Sequence, residues 1–389
     1  MTANPTLQEV VGAAREIARG VTARASEEVD RLPRWPEESL RALQQAGLGG
    51  LVVPGEAGGL GFGLLGLVRV CEELGRVCGS SAICFGMHSV GAAVIAAKAT
   101  ERQKDELLRP IAEGRHLTTL GLSEPGTGAH FYLPQATLKR VSEADFEVSG
   151  TKSFITNGGY SDSMVISVVA EDPDAVPGSF SCLVAKTRAP GVEWVERDWG
   201  GLGMRGNSAR SAELRQVRVP AVNLLGREGD ETWYVFNVIA PYFLMAMAGT
   251  YLGIAAAGVD EVRTQLGQRL YSHTGGALGE VGILQHRLGT IWAQVERTRQ
   301  FIYAAATQGD AGDESALPAL LSAKAEVADC AVEVLNEAMT LAGGRGYRDN
   351  GLLARLLRDA RAAHVMSPTT DILRTWTGRA LLNLPLLGD

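Results

Sequence analysis

A chain of 389 residues with 46% hydrophobic content is long enough to bury two or three cores. Its net charge of −7, with both signs interspersed, supplies no basic surface and excludes a nucleic-acid partner. The cysteines Cys71, Cys78, Cys84, Cys182 and Cys330 form no CxxC pair, which supports neither a disulfide framework nor a zinc site.

From the N-terminus the pattern is helical. The opening MTANPTLQEV lacks a basic and then apolar layout, so no secretion signal is expected and a cytoplasmic protein is. Residues 10–32 carry apolar positions at helical spacing and stop at Pro33; Pro36 then opens a second helix that runs to residue 45 before Gly47. The glycine-rich run 51–63 reads as connection, and no Gly-Lys-Ser/Thr follows to make it a phosphate loop. Further helices are expected over 64–77, 80–99 and 101–113. His88 lies inside one of them and reads as a packed core histidine, with no carboxylate or second histidine at helical spacing.

Near residue 116 the pattern becomes short and β-favouring, at 117–122, 136–140, 146–149, 163–169, 180–185, 192–196 and 212–219. This predicts about seven strands, with 171–177 as an exposed turn and 220–230 leading out. Helices are expected again over 233–265, 285–308, 316–342 and 370–382, with Ala-rich faces suited to a bundle and glycine-rich breaks at 275–282 and 343–346. Residues 232–259 carry no charge and are long enough to span a bilayer, yet Asn237, Pro241 and the density of Gly and Ala point to a helix packed on all sides. No membrane is therefore expected. The domains expected are a helical one at 1–116, a β domain at 117–229 and a helical bundle at 230–389.

Two stretches look chemical. LGLSEPGTG at 120–128 and GTKSFITNG at 150–158 read as strand ends and turns that offer backbone N–H groups, hydroxyls and one aromatic ring to a flat, polar ring system. Together with VVPGEAGGLG, GLGMRGNSARSAELRQVRVPAVNLLG, LAGGRGY and LLRDAR, in this order, they make the chain resemble the acyl-CoA dehydrogenase family over essentially its full length. The resemblance implies an α+β multidomain fold, with an N-terminal helical domain, a central β-barrel-like domain and a C-terminal four-helix bundle. It implies FAD as cofactor, held by Leu120, Leu122, Ser123, Gly126, Thr127, Gly128, Phe154, Ile155 and Thr156. Gln285, Gly343, Gly344, Thr369, Thr370 and Asp371 match family positions around the rest of the cofactor, part of it reached from a neighbouring subunit. A homodimer or homotetramer is implied.

Several positions depart from the family's pattern. The catalytic glutamate of most members falls at Ser367, and the alternative base on the central helix falls at Phe243. The Asp-x-x-Arg that meets coenzyme A reads Pro241 to Leu244, Ala129 and His130 replace a Ser-Asp, and Thr274 replaces a flavin-contacting Arg. An unactivated serine is no base near neutral pH, so His130 and His364 become candidates for that role. Phe243, Leu244 and Ala129 are expected to line the substrate pocket. The function implied is oxidation of the Cα–Cβ bond of an unusual acyl substrate, on coenzyme A, on an acyl carrier protein or free, with loss of CO2 as one source of the carbanion. Electrons would pass to oxygen or to an electron-transfer flavoprotein. A flavin monooxygenase and a degenerate flavin-binding protein of the same fold are the alternatives.

Overall fold

The computed structural model describes residues 5–387 apart from 173, 177, 196–198 and 274. Expectations at Pro177, Glu196 and Thr274, and at both extreme ends of the chain, lie outside the described residues.

The chain runs helix, sheet, helix. The first helices are α1 (Leu7–Ile17), α2 (Ala23–Arg31), α3 (Glu37–Gln45), α4 (Leu64–Gly75), α5 (Gly79–Ala97), α6 (Glu101–Gln103) and α7 (Arg109–Ala112). Two starts are fixed by reciprocal caps: the Thr6 hydroxyl accepts from Glu9 N while Glu9 accepts from Thr6 N, and Thr100 and Gln103 repeat the exchange. The single helix expected over 10–32 is interrupted by a π-helical turn at 18–22, which no periodicity argument resolves.

The strands are β1 (Leu120–Gly121), β2 (Thr137–Arg140), β3 (Asp145–Ile155), β4 (Ser163–Ala170), β5 (Phe180–Lys186), β6 (Val192–Trp194), β7 (Arg210–Pro220) and β8 (Leu224–Leu225). They form one mixed sheet in the order β6-β7-β3-β2-β4-β5-β8, with β1 parallel to β4. Its core is Val148, Ile155, Met164, Ile166, Leu183, Leu214 and their neighbours.

The closing helices are α8 (Glu231–Tyr234), α9 (Ala240–Gln268), α10 (Gly282–Asp310), α11 (Leu317–Ala342), α12 (Leu352–Val365) and α13 (Thr370–Leu381). Helix α12 was not expected from the sequence; its first turn follows Gly351, and charged residues flank its buried Leu353, Leu356 and Ala360. Helix α9 is the hub, packed on α4, α5, α10, α11 and α12. Glycines let it approach α4 closely: a Cβ at Gly249 would lie 2.3 Å from the Val68 carbonyl oxygen, and one at Gly253 2.2 Å from that of Glu72. That contact explains why the uncharged stretch is so rich in small residues. Two helical stretches, Gly79–Ala97 and Glu231–Gln268, are long and apolar enough to cross a membrane, and both are largely buried inside this protein.

His88 sits where the sequence places it, in the core. One ring nitrogen, Nε2, donates to the Gly49 carbonyl at 2.9 Å, and Nδ1 accepts from Thr118 N at 3.1 Å. Burial pushes its pKa down to about 4, so it stays neutral and joins the first helices to the sheet.

Candidate functional site

A cavity of about 570 Å³ opens where the ends of β1 and β3 meet α9 and the turn after α12. One wall is polar: Ser123 and Glu124 beyond β1, Ser153 within β3 and Thr156 just past its end. The helices contribute an apolar lining, with Met87 from α5, Ile239 just before α9, Ala240, Phe243 and Met247 in its first turns, and Val365, Met366 and Pro368 around Ser367.

The polar wall is held by a buried ion pair. Lys152 and Glu124 are 0% and 5% exposed, with Nζ and Oε1 2.5 Å apart. Glu124 also accepts from the backbone N–H groups of Gln135 and Ala136, at 2.9 and 3.2 Å, and Lys152 donates to Ser167 Oγ at 3.2 Å. Burial outweighs the attraction of Glu124 and draws the lysine below the usual ammonium range. Such a carboxylate, engaged on both oxygens, fixes the turn 124–136. Neither partner was singled out from the sequence, although a charged residue stands inside each of the two β-favouring motifs.

Phe154 is the strained residue of the site. It has φ +54°, the residue is 66% exposed, and its ring lies edge-on to Trp199 with centroids 6.2 Å apart. A bulky residue in the left-handed region costs on the order of 1–3 kcal/mol and marks a functional surface. The register shift between Lys152 and Ile155 produces this turn-out. Ile155 consequently points into the sheet core at 0% exposure and does not line the cavity. Thr156 lines it, and its carbonyl accepts from Thr119 Oγ1 at 2.6 Å.

The structure brings together Leu120, Leu122, Ser123, Gly128, Phe154, Thr156, Phe243 and Ser367 on one cavity wall or another. Other expected residues stand elsewhere. Leu244 turns into the helical core, and Gly126, Thr127 and Ala129 belong to the turn beside the cavity without bordering it. His130 is exposed with its ring edge-on to Tyr132, and His364 Nε2 lies 3.0 Å from Asp329 Oδ1, while Arg374 donates to the other oxygen, Oδ2. Neither histidine expected as a base borders this cavity. Thr369, Thr370 and Asp371 open α13 away from the wall. Gln285 lines a separate hollow of about 430 Å³ with Arg76, Arg263 and Trp292, and Gly343 and Gly344 end α11. Met87, Ile239, Ala240 and Met247 were missed, since nothing in a helical period says which core position faces an opening, and Phe131 and Trp199 lie in irregular chain without a local mark.

Among the described residues, the only carboxylate on the cavity wall is Glu124, and no Lys, Arg or His borders it. The arrangement can hold a flat amphipathic ring between its polar and apolar walls, together with a neutral, apolar substrate group.

Three family descriptions match the chain in order: acyl-CoA dehydrogenase N-terminal domain over residues 4–115, middle domain over 119–217 and C-terminal domain over 242–382. The chain is 28% identical to a short-chain-specific acyl-CoA dehydrogenase of Clostridium acetobutylicum, over 92% of this chain and 93% of that protein. It is 28% identical to a cyclohex-1-ene-1-carbonyl-CoA dehydrogenase of Geobacter metallireducens, over 95% and 96%. The structure of butyryl-CoA dehydrogenase from Megasphaera elsdenii superposes with a TM-score of 0.90, at 26% identity, covering 98% of this chain and all of that one.

Proposed function

The chain belongs to the acyl-CoA dehydrogenase family, and from that premise we propose a flavin oxidoreductase that oxidises the Cα–Cβ bond of an acyl group without a protein carboxylate as base. The cavity fits FAD on its own features: strand ends supply Ser123, Ser153 and Thr156, the helices supply apolar side chains, and Phe154 is turned out against strain to present its ring. When bound there, FAD supplies the hydride acceptor.

The observation that carries the reading is the character of the wall. Ser367 stands where most members of the family place their glutamate, and the one lining carboxylate, Glu124, is committed to Lys152 and two backbone N–H groups. A positioned base contributes about 10²–10⁴-fold to proton abstraction. Its absence means that the substrate brings its own route to the α-carbanion, through a more acidic α-carbon or through loss of CO2. The apolar wall excludes water and leaves a carboxylate at the reacting end without a counter-ion, a state that departure as neutral CO2 relieves. With Leu244 in place of the family's arginine on α9, the handle of the substrate is unusual as well, which favours a carrier other than coenzyme A. Gln285, Gly343 and Gly344 lie away from this cavity, so their expected contact with the cofactor would be made in a second copy of the chain.

The experiment is anaerobic bleaching of the flavin. Ser367→Ala is expected to reduce at nearly the parental rate with an α-carboxylated (alkylmalonyl-type) acyl thioester, which loses CO2 from Cα and leaves the electron pair there while a hydride departs from Cβ. Ser367→Glu is expected to gain about 10²-fold or more with a simple saturated acyl thioester. A large loss in Ser367→Ala, or no gain in Ser367→Glu, would count against the reading.

A further inference from the structure

Lys324 stands in α11 among Leu320, Leu321, Ala323, Val327 and Ala328, all buried, and is itself 0% exposed. Its Nζ donates to two backbone carbonyls, those of Met366 and Pro368, each at 2.8 Å. These carbonyls bracket Ser367, and all three residues line the cavity. A second buried side chain reaches the same turn, the Tyr251 hydroxyl of α9, 3.2 Å from Met366 Sδ.

No carboxylate hydrogen-bonds this lysine among the described residues, and burial pushes its pKa down to about 7. An ammonium without a counter-ion is a poor way to fill a core, where a methionine of similar length packs at no desolvation cost. What the lysine offers instead is two donors in one place, charge-assisted and pointed at the carbonyls on either side of Ser367, in a turn that belongs to no helix. We propose that Lys324 is a positioning residue: by clasping the carbonyls of Met366 and Pro368 it sets where Ser367 stands in the cavity wall. Its consequence for turnover rests on the reading of the cavity as the reaction centre; the clasp itself does not.

The test places a reporter at the turn. The cysteines Cys71, Cys78, Cys84, Cys182 and Cys330 are all buried, so Ser367→Cys adds one thiol at the cavity. Its labelling by methyl methanethiolsulfonate is followed on the full chain, with and without Lys324→Met. Loss of two charge-assisted hydrogen bonds should speed the labelling by about tenfold or more. Equal rates, within about twofold, in variants with the parental circular dichroism would overturn the clasp, because a lysine that merely fills the core leaves the reporter unmoved. If Lys324→Met does not fold, Lys324→Gln, which drops the charge and keeps an amide donor, is read the same way, with a smaller acceleration expected and equal rates again fatal. Labelling needs neither substrate nor turnover, so failure of the proposed reaction leaves this result standing.

Discussion

Glu231 shows how one residue can tie stability to pH. It is 0% exposed, neither of its carboxylate oxygens has a hydrogen-bond partner, and burial pushes its pKa up to about 8 against a weaker pull from Lys152. Unfolded, the same group titrates near 4.5. Between these values the folded chain holds a proton that the unfolded chain has released, so the contribution is full below 4.5 and drains as pH rises through 8. The scale is on the order of 1.4 kcal/mol per pKa unit, an upper bound for a buried group that can relax. Glu231→Gln keeps the shape and removes the titration. Thermal melts at pH 5 and pH 8 should show the variant gaining on the parent at the higher pH. The difference between the two curves isolates Glu231 from His88, whose pKa of about 4 gives the opposite slope between 4 and 6.5. A constant difference would mean that Glu231 is hydrated and ordinary.

At the level of elements, the end of β3 decides what the cavity presents. Lys152 and Ser153 point inward, Phe154 outward and Ile155 inward again, an order that plain alternation does not produce. The positive φ at Phe154 makes the difference. Phe154→Gly removes the backbone penalty and should raise the stability of the flavin-free protein by about 1 kcal/mol, whereas Phe154→Ala, which keeps a Cβ, should not. Both should bind FAD more weakly, as read by a flavin fluorescence titration. If the glycine variant melts below the alanine variant, the strain assigned to this residue is wrong. The same element shows what was legible in the sequence. Leu122, Ser123, Phe154 and Thr156, expected from turn chemistry and hydroxyls to face a flat ring, line the cavity. Ile155 was placed beside them because a bulge leaves no local mark. Lys324 and the Lys152–Glu124 pair carry a signal that went unread, a charge at an apolar position of the period. Helix α12 was missed because Arg355, Arg358 and Asp359 obscure a short buried face, although Asp359 is fully enclosed and accepts from Met204 N at 2.7 Å.

For the molecule as a whole, the cavity exists only where three segments of chain are tied together, and Asn157 is the knot. It is 0% exposed with φ +62°. Its Oδ1 accepts from Trp35 Nε1 at 2.8 Å, its Nδ2 donates to the Cys84 carbonyl at 2.9 Å, and its backbone N–H donates to the Asn207 carbonyl at 3.0 Å. Trp35, in turn, stacks on Tyr160 with centroids 4.8 Å apart. One side chain thus joins the loop before α3, the middle of α5 and the end of β3, one residue from Thr156 on the cavity wall. Asparagine is suited to the position twice over, since its short amide serves one acceptor and one donor and it tolerates the left-handed region. In Asn157→Ala the Trp35 N–H is left buried and unpaired, at about 1–3 kcal/mol, the Cys84 carbonyl keeps only its bond within α5, and a Cβ without compensation occupies a positive φ. The expected loss is about 3 kcal/mol or more, with a matching fall in the flavin retained on purification. Because the knot is shared by helices and sheet, far-UV and near-UV circular dichroism should melt together at a lower temperature. Were the helical signal to keep its parental midpoint while the aromatic signal dropped early, the segments would be folding separately, and the cavity would depend on some other contact than this one.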